Sequence, residues 1–490
     1  MRKLIHPLFF IVLISFALSV GTLRRGHEWG DDFAWYILQA QSIVNGAVDE
    51  FMETSEFINT QSTMHLGPLA YPWGYPLILV PFYAIWGISP LALKIPSVLF
   101  YMGFLVCLYF WMNTRFTRTE SLLAVSLFAF NPMLILFEDQ ILSDIPFLFF
   151  STLSLLLMTV GERRNIFHGL LIGVSVFFTT FLRATGILLL GSFLILEFFQ
   201  LWRHRRERET VLSILRSSFV ICSTFAVLFV AAMLLFPSGG ESYLAQYSTT
   251  SLQQMYGFAI AYFKIFGRFF GEGEGWLYLY YFVFIFFLLG VWKNRREGVF
   301  FIVFFVLWML VHIPYPYWQG PRYIFPLLPI FIYFAFEGMK LVVAMLPRNY
   351  ASVGRGIFFG FWVLMAGVFL FQSGINAYEN LRSGRQINGP FDPYSIQVYE
   401  YIKEKTPPES IVIFFKPRAM RLMTGHLSLM IYECEEIHKG DYLVLSKKVG
   451  ETGQIPPERI ASCGLPLNEV LENRRFIVYE IQKAGLESSP

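Results

Sequence analysis

The sequence predicts an α-helical polytopic membrane protein with about eleven transmembrane helices, followed by a small C-terminal soluble α/β domain. Three observations predict this fold class. Of the 490 residues, 55% are hydrophobic and only 15% are charged, whereas soluble domains are about one quarter charged. Long apolar runs recur along most of the chain. From about residue 375 onwards the composition changes to short apolar segments separated by polar residues.

Eleven apolar runs approach the roughly 20 residues that a helix needs to cross a bilayer. They are 4–22, 91–112, 121–137, 145–160, 166–182, 187–202, 212–236, 277–292, 298–313, 323–346 and 356–373. The first run has a basic start like that of a signal peptide, but its length predicts an uncleaved helix. Residues 73–89 contain Pro76 and Pro81, and we interpret them as a helix lying at the membrane interface.

The basic residues predict how the chain crosses the membrane, because cytoplasmic loops are enriched in lysine and arginine. With 73–89 outside the bilayer, one face collects most basic residues: Arg2, Lys3, Arg115, Arg118, Arg163, Arg164, 203–208, 293–296, Arg348 and Arg355. Most acids fall on the other face. Arg24 and Arg25 conflict with this rule, and we interpret them as contacts to lipid phosphates. The net charge of +3 is too small to imply a nucleic-acid partner.

This topology predicts a multi-pass protein of the plasma (inner) membrane with a cytoplasmic N-terminus. We divide the chain into a transmembrane domain, 1–374, and an extracytoplasmic soluble domain, 375–490. Within the first, residues 23–90 form extracytoplasmic loops and interfacial helices.

The tail has the pattern of an α/β domain. Residues 395–405 read as an amphipathic helix with Ile396, Tyr399 and Ile402 on one stripe. Short strands are predicted at 410–415, 441–446 and 475–481. The tail cysteines, Cys434 and Cys463, could form a disulfide in an oxidising compartment or remain two free thiols.

Two adjacent acids follow the first apolar run, in the segment GDDFAWYILQAQ at 30–41. Asp32, Tyr36 and Ala40 are spaced to share one face of a helix, and Asn45 with Gly46 supplies a stop signal. Asp32 would then lie at a helix N-terminus, which is favourable for an anion. It either caps this helix or serves a site.

Three further outer segments carry candidate residues. FEDQILSDIPFLFF places Asp144 at the start of the next helix, where capping is again the alternative. HIPYPYWQGPRYIFPLLP contains Arg322, which is either an interfacial anchor or a cation for an anionic head-group. LRATG contributes Arg183 in the same way.

In their order along the chain, these segments resemble the GT-C glycosyltransferases, in particular the protein O-mannosyltransferase and aminoarabinose-transferase group. Asp32 with Tyr36 and Ala40 resembles the first-loop motif, and YPWGYPLIL (71–79) the proline-rich interfacial segment. LSDIPFLFF, LRATGILLL and PRYIFPLLP are similar to later loop signatures, and YIKEKTPPESIVIFF to the soluble domain that follows the spans. The chain departs from the group in two places: Phe33 follows Asp32 where the mannosyltransferases have Glu, and 71–76 lacks the lysine of the aminoarabinose transferases.

The resemblance implies a sugar donor on a polyprenyl phosphate and transfer to a hydroxyl outside the cytoplasm. Asp32 would be the general base, and Asp31 or Asp144 would orient the acceptor or tune the pKa of Asp32. Arg322 and Arg183 would bind the donor phosphate. The expected contacts to acceptor or sugar are Tyr36, Tyr71, Glu138 and Tyr323.

No cofactor is expected, since the histidines lack a metal-binding spacing and no phosphate-binding glycine loop is present. A divalent cation between Asp32 and Asp144, as in the oligosaccharyltransferase branch, is the alternative. The expected partners are the lipid-linked donor, membrane lipids and an acceptor that could be a glycan, a lipid or a protein. Two other functions stay open: a flippase for lipid-linked glycans, which needs ionisable groups at mid-membrane depth, and a non-catalytic assembly protein of the cell envelope.

Overall fold

The computed structural model describes residues 2–64, 66–160, 165–239, 247, 250–384, 387–448, 450–464 and 466–482. The predicted cytoplasmic residues Arg163 and Arg164 lie outside these ranges.

The membrane part of the chain is helical. Its helices are α1 (Arg2–Thr22), α2 (Asp32–Asn45), α3 (Val48–Gln61), α4 (Gly74–Trp86), α5 (Pro90–Met112), α6 (Arg118–Ala129), α7 (Pro132–Glu138), α8 (Asp144–Thr159), α9 (Ile166–Leu182), α10 (Ile187–Arg203), α11 (Arg208–Leu235), α12 (Leu252–Ile265), α13 (Glu274–Lys293), α14 (Val299–His312), α15 (Leu328–Met345) and α16 (Ala351–Ser383). Single 3₁₀ segments precede α10 (Ala184–Gly186), follow α12 (Phe266–Phe269) and lead into α15 (Gly320–Leu327).

These helices make the chain a membrane protein. Among the described residues six helices are long and apolar enough to cross a bilayer, or seven if α6 and α7, bent by 57°, form one span. Five more helices are apolar but shorter: α1 from Pro7, α4, α8, α9 and α14. All eleven predicted runs lie on these elements, while the number that cross the membrane stays a prediction.

Helices α13 and α15 approach each other closely. Gly290 of α13 and Gly338 of α15 face each other's helix so closely that a Cβ on either would lie 1.8 Å from a backbone oxygen, that of Phe334 or Phe286. Small residues allow membrane helices to approach in this way. This contact holds the second half of α15 against α13.

The C-terminal part is an α/β domain built on a five-stranded sheet. Helices α17 (Pro393–Lys405) and α18 (Pro417–Thr424) accompany strands β1 (Val412–Ile413), β2 (Ser428–Leu429), β3 (Tyr442–Ser446), β4 (Leu467–Glu472) and β5 (Phe476–Ile481). The strand order is β2-β1-β3-β5-β4; β1 runs parallel to β2 and β3, and β5 antiparallel to β3 and β4. Two 3₁₀ segments, Cys434–Lys439 and Pro457–Cys463, are joined by a disulfide between Cys434 and Cys463.

Two expectations about the tail change. Helix α16 continues to Ser383, so the predicted boundary at 375 falls inside a helix. The buried stripe of α17 consists of Ser395, Val398, Tyr399 and Ile402, whereas Ile396 is 36% exposed. Ser395 lies three positions before Val398, and Val398 lies four positions before Ile402, so these residues share one face of the helix. Ile396 lies at the edge of that face.

The C-terminal domain packs directly on the first outer loop. Trp29 contacts the rings of Phe414, Phe415 and Phe476 at centroid distances of 5.0–6.2 Å. Residues after α3 pair with the end of β2, where the Thr63 N–H donates to the Met430 carbonyl at 3.0 Å. The domain therefore closes over the segment that carries the paired acids.

Arg24 does not occupy the lipid-facing position expected from sequence. Its guanidinium pairs with Asp139 and with Glu28, and the same carboxylate of Asp139 accepts from buried Lys94 at 2.6 Å. Arg25 is exposed. The conflict with the charge rule at Arg24 is thus explained by a buried acid on the neighbouring loop.

Candidate active site

Helix α2 presents one polar face towards the segment that precedes α4. Asp32, Tyr36 and Gln39 are spaced at i, i+4 and i+7 and share this face. The Gln39 amide donates to the Tyr71 carbonyl at 2.9 Å and accepts from the Tyr71 N–H at 3.2 Å. The rings of Tyr36 and Tyr71 lie 5.1 Å apart. Gln39 therefore fixes the backbone of Tyr71 beside Asp32.

Asp32 begins α2, but its carboxylate does not cap the helix. The Tyr71 hydroxyl donates to Asp32 Oδ1 at 2.7 Å, and Arg322 Nη1 donates to Asp32 Oδ2 at 2.9 Å. The N-cap residue, Asp31, makes no side-chain cap bond either. The capping interpretation of this pair of acids is wrong, since both oxygens of Asp32 face other segments.

Asp144 occupies the equivalent position at the start of α8. Its Oδ1 accepts from Arg183 Nη1 and from Arg322 Nε at 3.1 Å. The preceding residue, Ser143, makes no cap bond and instead bonds to the Tyr36 hydroxyl at 3.0 Å. Arg322 thus bridges Asp32 and Asp144, which lie 112 positions apart in the chain.

The two aspartates differ in their access to solvent. The Asp32 side chain is 34% exposed and that of Asp144 only 1%. The bridging arginines are intermediate, at 14% for Arg322 and 17% for Arg183. A substrate can therefore reach Asp32 and the edges of both arginines, while Asp144 is enclosed by its partners.

The pKa values of the neighbouring Asp31 and Asp32 are shifted in opposite directions. Burial opposes ionisation of Asp32, but the charge of Arg322, the hydrogen bonds from Tyr71 and Arg322, and the charge of Arg418 outweigh it, so the pKa of Asp32 is lowered. Burial raises the pKa of Asp31, against the opposing charges of Lys416 and Arg418. The two adjacent carboxyl groups therefore differ in their tendency to ionise.

Arg418 of α18 reaches this cluster from the C-terminal domain and was not predicted. Its Nη1 donates to the Tyr71 hydroxyl at 3.0 Å and its Nη2 to the Leu66 carbonyl at 2.9 Å. The guanidinium lies 4.2 Å from the ring centroid of Trp35, within cation–π range. The available signal was K-P-R directly after the predicted strand 410–415, at the carboxyl end where α/β domains place functional loops.

The remaining predicted contacts divide into two groups. Tyr36 and Tyr71 lie in the cluster, and the Tyr323 ring lies 5.3 Å from the Arg183 guanidinium. Glu138 does not join them: its side chain is fully buried at the end of α7, near Ser19 and Tyr101. A hydroxyl acceptor has no access to it there, so the assignment of Glu138 as an acceptor contact is not supported.

The described residues contain no group of three His, Cys, Asp or Glu side chains placed to hold a metal ion. Asp32 and Asp144 do approach a common cation, which is the guanidinium of Arg322. The two carboxylates of the divalent-ion alternative are thus both paired with Arg322, and Asp144 is also paired with Arg183.

Solved structures share this architecture. ArnT from Cupriavidus metallidurans bound to undecaprenyl phosphate aligns with a TM-score of 0.60 at 12% identity, over 96% of this chain and 97% of that one. The archaeal oligosaccharyltransferase AglB from Archaeoglobus fulgidus, in complex with an inhibitory peptide and a dolichol-phosphate, aligns with a TM-score of 0.56 at 12% identity. That alignment covers 99% of this chain and 74% of AglB.

No protein-family model and no curated protein matches the sequence. At about 12% identity the similarity to ArnT and AglB is one of fold. The chain therefore has the GT-C fold, as the order of its loop motifs predicts.

Proposed function

We propose that this protein is a membrane glycosyltransferase that moves a sugar from a polyprenyl-phosphate donor to an acceptor hydroxyl outside the cytoplasm. One observation carries the proposal: Asp32 is accessible, has a lowered pKa and pairs with Arg322, which shares Asp144 with Arg183. Asp32 is the group that can accept a proton, and the arginines are the groups that can receive an anion.

The reaction is a single displacement at the anomeric carbon of the donor. The acceptor oxygen forms a bond to that carbon while the bond from the carbon to the phosphate oxygen breaks. Asp32 takes the proton of the acceptor hydroxyl, and the polyprenyl phosphate leaves with the bonding electron pair. The configuration at the anomeric carbon inverts. General base catalysis of this kind contributes about 10²–10⁴ in rate.

Arg322 and Arg183 would bind the donor phosphate and stabilise its charge as it leaves. Each guanidinium has five N–H donors, and the bonds to Asp32 and Asp144 use only some of them. Asp144 holds the two arginines in place and is too enclosed to be the base. This division of roles assigns Asp144 to positioning and Asp32 to proton transfer.

No metal is needed in this proposal, because Arg322 already links the two carboxylates. A preorganised cation beside the leaving phosphate supplies the electrostatic stabilisation that a divalent ion would otherwise provide. Chelation of divalent ions is therefore expected to leave the transfer rate unchanged.

The donor class is supported by the structures with the same fold, which contain undecaprenyl phosphate and dolichol-phosphate. A disulfide between Cys434 and Cys463 supports an extracytoplasmic position of the C-terminal domain. The aromatic residues of the site, among them Tyr71 and Tyr323, suit contacts with a sugar ring. The test below identifies whether the acceptor is a glycan, a lipid or a protein.

The test is a transfer assay with purified full-length protein in lipid. Radiolabelled polyprenyl-phosphate sugars are supplied with a cell-envelope extract, and the wild type is compared with Asp32→Asn. Asp49→Asn is the matched control, since Asp49 is an exposed acid of the same outer region. We expect transfer by the wild type and the control, and a loss of at least about 100-fold with Asp32→Asn.

Equal transfer by Asp32→Asn and the wild type would reject Asp32 as the base. Absence of transfer from every donor would reject the glycosyltransferase itself, and the same vesicles would then be assayed for flipping of the lipid-linked sugar.

A further inference from the structure

The C-terminal domain places a buried cation next to the proposed base. Arg418 is 1% exposed, although it belongs to a separate domain and lies 347 positions from its partner, Tyr71. A buried charge is costly unless it is paired. Among the described residues Arg418 has no ion pair within 4 Å, and its Nε has no hydrogen-bond partner. Its position is therefore not explained by a stabilising salt bridge.

Arg418 is linked to Asp32 by hydrogen bonds through Tyr71. The Tyr71 hydroxyl accepts from Arg418 Nη1 at 3.0 Å and donates to Asp32 Oδ1 at 2.7 Å. The hydroxyl is thereby oriented with its proton towards the carboxylate, which is the arrangement that favours ionised Asp32. The charge of Arg418 also acts on Asp32 directly and lowers its pKa.

We infer that Arg418 is a positioning residue of the active site, which acts through Tyr71 to orient Asp32 and hold it ionised. The inference rests on the proposed function in so far as Asp32 is the base. The C-terminal domain is then part of the catalytic apparatus and not only a soluble appendage. Arg418 does not bind substrate itself, because its guanidinium is enclosed by Trp35, Tyr71 and the Leu66 carbonyl.

The geometry of α18 makes this role specific to one residue. Arg421 lies one turn further along the same helix and contacts the ring of Phe51 at 5.7 Å. Burial lowers its pKa to about 10, against the opposing effect of the charge of Glu50. Arg421→Met therefore removes the same type of charge from the same helix without touching the path to Asp32.

The experiment measures the protonation of Asp32 by a chemical label. Full-length protein in lipid vesicles is treated with dicyclohexylcarbodiimide, which reacts with protonated carboxyl groups, at a series of pH values. Labelling of Asp32 is quantified by mass spectrometry. We expect Arg418→Met to move the labelling midpoint of Asp32 upward by about one pH unit, and Arg421→Met to leave it unchanged.

Two further variants distinguish the effect of the hydrogen bonds through Tyr71 from the effect of the positive charge of Arg418. Arg418→Lys keeps the charge but not the fork that joins Tyr71 and Leu66, so it is expected to restore only part of the midpoint. In a Tyr71→Phe background the shift caused by Arg418→Met is expected to shrink, because coupled residues are not additive. Arg418→Lys also serves if Arg418→Met does not fold.

The outcomes distinguish this inference from the proposed function. A wild-type midpoint retained in Arg418→Met or, if that variant does not fold, in Arg418→Lys overturns the inference, even if sugar transfer is observed. A shifted midpoint without any sugar transfer supports the coupling of Arg418 to Asp32 and rejects the glycosyltransferase. If Arg418→Met and Arg421→Met shifted the labelling midpoint of Asp32 equally, the shift would be due to the loss of any nearby positive charge. The role of Arg418 through Tyr71 would then be rejected.

Discussion

At the scale of single residues, Arg322 determines how the two aspartates share charge. It donates to Asp32 from Nη1 and to Asp144 from Nε. A lysine at this position would keep the charge but cannot reach both carboxylates with a rigid fork. We expect Arg322→Lys to fold and to lose about 10- to 100-fold in transfer rate, as one charge-assisted hydrogen bond contributes about 1.5–3 kcal/mol.

The control for Arg322→Lys is Lys264→Arg, on α12 of the outer region. Transfer rates at saturating donor are compared, since the loss belongs to the chemical step. An Arg322→Lys enzyme as fast as the wild type would remove Arg322 from the site.

Asp144 is expected to matter more for stability than Asp32. It is 1% exposed and compensates two arginines, Arg183 and Arg322, whereas Asp32 is one third exposed. Removing one partner of a buried ion pair costs about 3–5 kcal/mol because the other charge stays buried. Asp144→Asn should therefore lower the free energy of unfolding in detergent by about 3 kcal/mol, and Asp32→Asn by clearly less. Equal losses would contradict the difference in burial.

The sequence predicted the residues of the site that have a local signal. Asp32 and Asp144 stand out because each follows an outer loop and starts a helix, and Arg322 because it precedes a span. Their mutual contacts had no such signal, and for that reason the sequence left capping open. Glu138 was misplaced because an acid at the end of an apolar run looks the same whether it faces outward or into the helix bundle.

At the scale of elements, the first and second outer loops are joined by a buried polar cluster. Lys94 donates to the carbonyl groups of Arg24 and Gly26 and to Asp139. His27 accepts from the Ile141 N–H at 3.1 Å and donates to the Glu28 carbonyl at 2.8 Å. These contacts join the loop before Asp32 to the loop before Asp144, and so set the distance between the starts of α2 and α8.

His27 makes this junction sensitive to acid. Burial lowers the pKa of His27 to about 3, and the charges of Lys94 and Arg24 add to the effect. The folded protein therefore holds His27 neutral while the unfolded chain takes up a proton below its ordinary pKa of 6.5. Its contribution to stability is complete above pH 6.5 and declines as the pH falls from there towards about 3.

We expect His27→Gln to flatten the pH dependence of unfolding between pH 6 and pH 4.5. The difference in slope from the wild type should approach that of one proton, about 1.4 kcal/mol per pH unit. Unfolding free energies in detergent at several pH values measure it. His204→Gln is the control, since His204 lies at the end of α10, away from the junction. Parallel slopes for wild type and His27→Gln would show that His27 titrates normally.

Elements with a strong periodic pattern were predicted better than short ones. The long apolar helices cover the predicted apolar runs and extend beyond several of them, and strands β1, β3 and β5 lie within the predicted strand segments. Strand β2 has two residues and α18 has eight, too few for an apolar period to show. Strand β4 is polar and half-exposed, so its place is set by pairing with β5 and not by its own composition. The cluster member Arg418 lies on one of these short elements.

At the scale of the whole molecule, the C-terminal domain completes the site. The sequence predicted a separate soluble domain, and the sheet is of that kind. Its docking on the loops beside Asp32 could not be predicted, since contacts over 300 residues apart leave no local pattern. Trp29, Thr63 and Tyr71 of the membrane part contact Phe415, Met430 and Arg418 of the domain. The site thus requires both parts on the same side of the membrane.

The side of the membrane on which the C-terminal domain lies can be tested with introduced cysteines. In a variant with Cys107→Ala and Cys222→Ala, only Cys434 and Cys463 remain, and the disulfide between them protects both from maleimides. Cysteine is then introduced at Glu469, exposed in β4, or at Arg296, exposed in the basic loop after α13. We expect a membrane-impermeant maleimide to label Glu469→Cys in intact cells, and Arg296→Cys only after the membrane is opened.

The parent variant supplies the control for both positions. Labelling of Cys434 and Cys463 in intact cells only after a reductant is added would place the disulfide outside the cytoplasm, where such bonds persist. Labelling of Arg296→Cys but not Glu469→Cys in intact cells would invert the topology and put Asp32 on the cytoplasmic face. A donor presented outside the cytoplasm could then not reach Asp32. The outcome therefore decides whether Asp32 lies on the side of the membrane that the basic residues predict and that the proposed reaction requires.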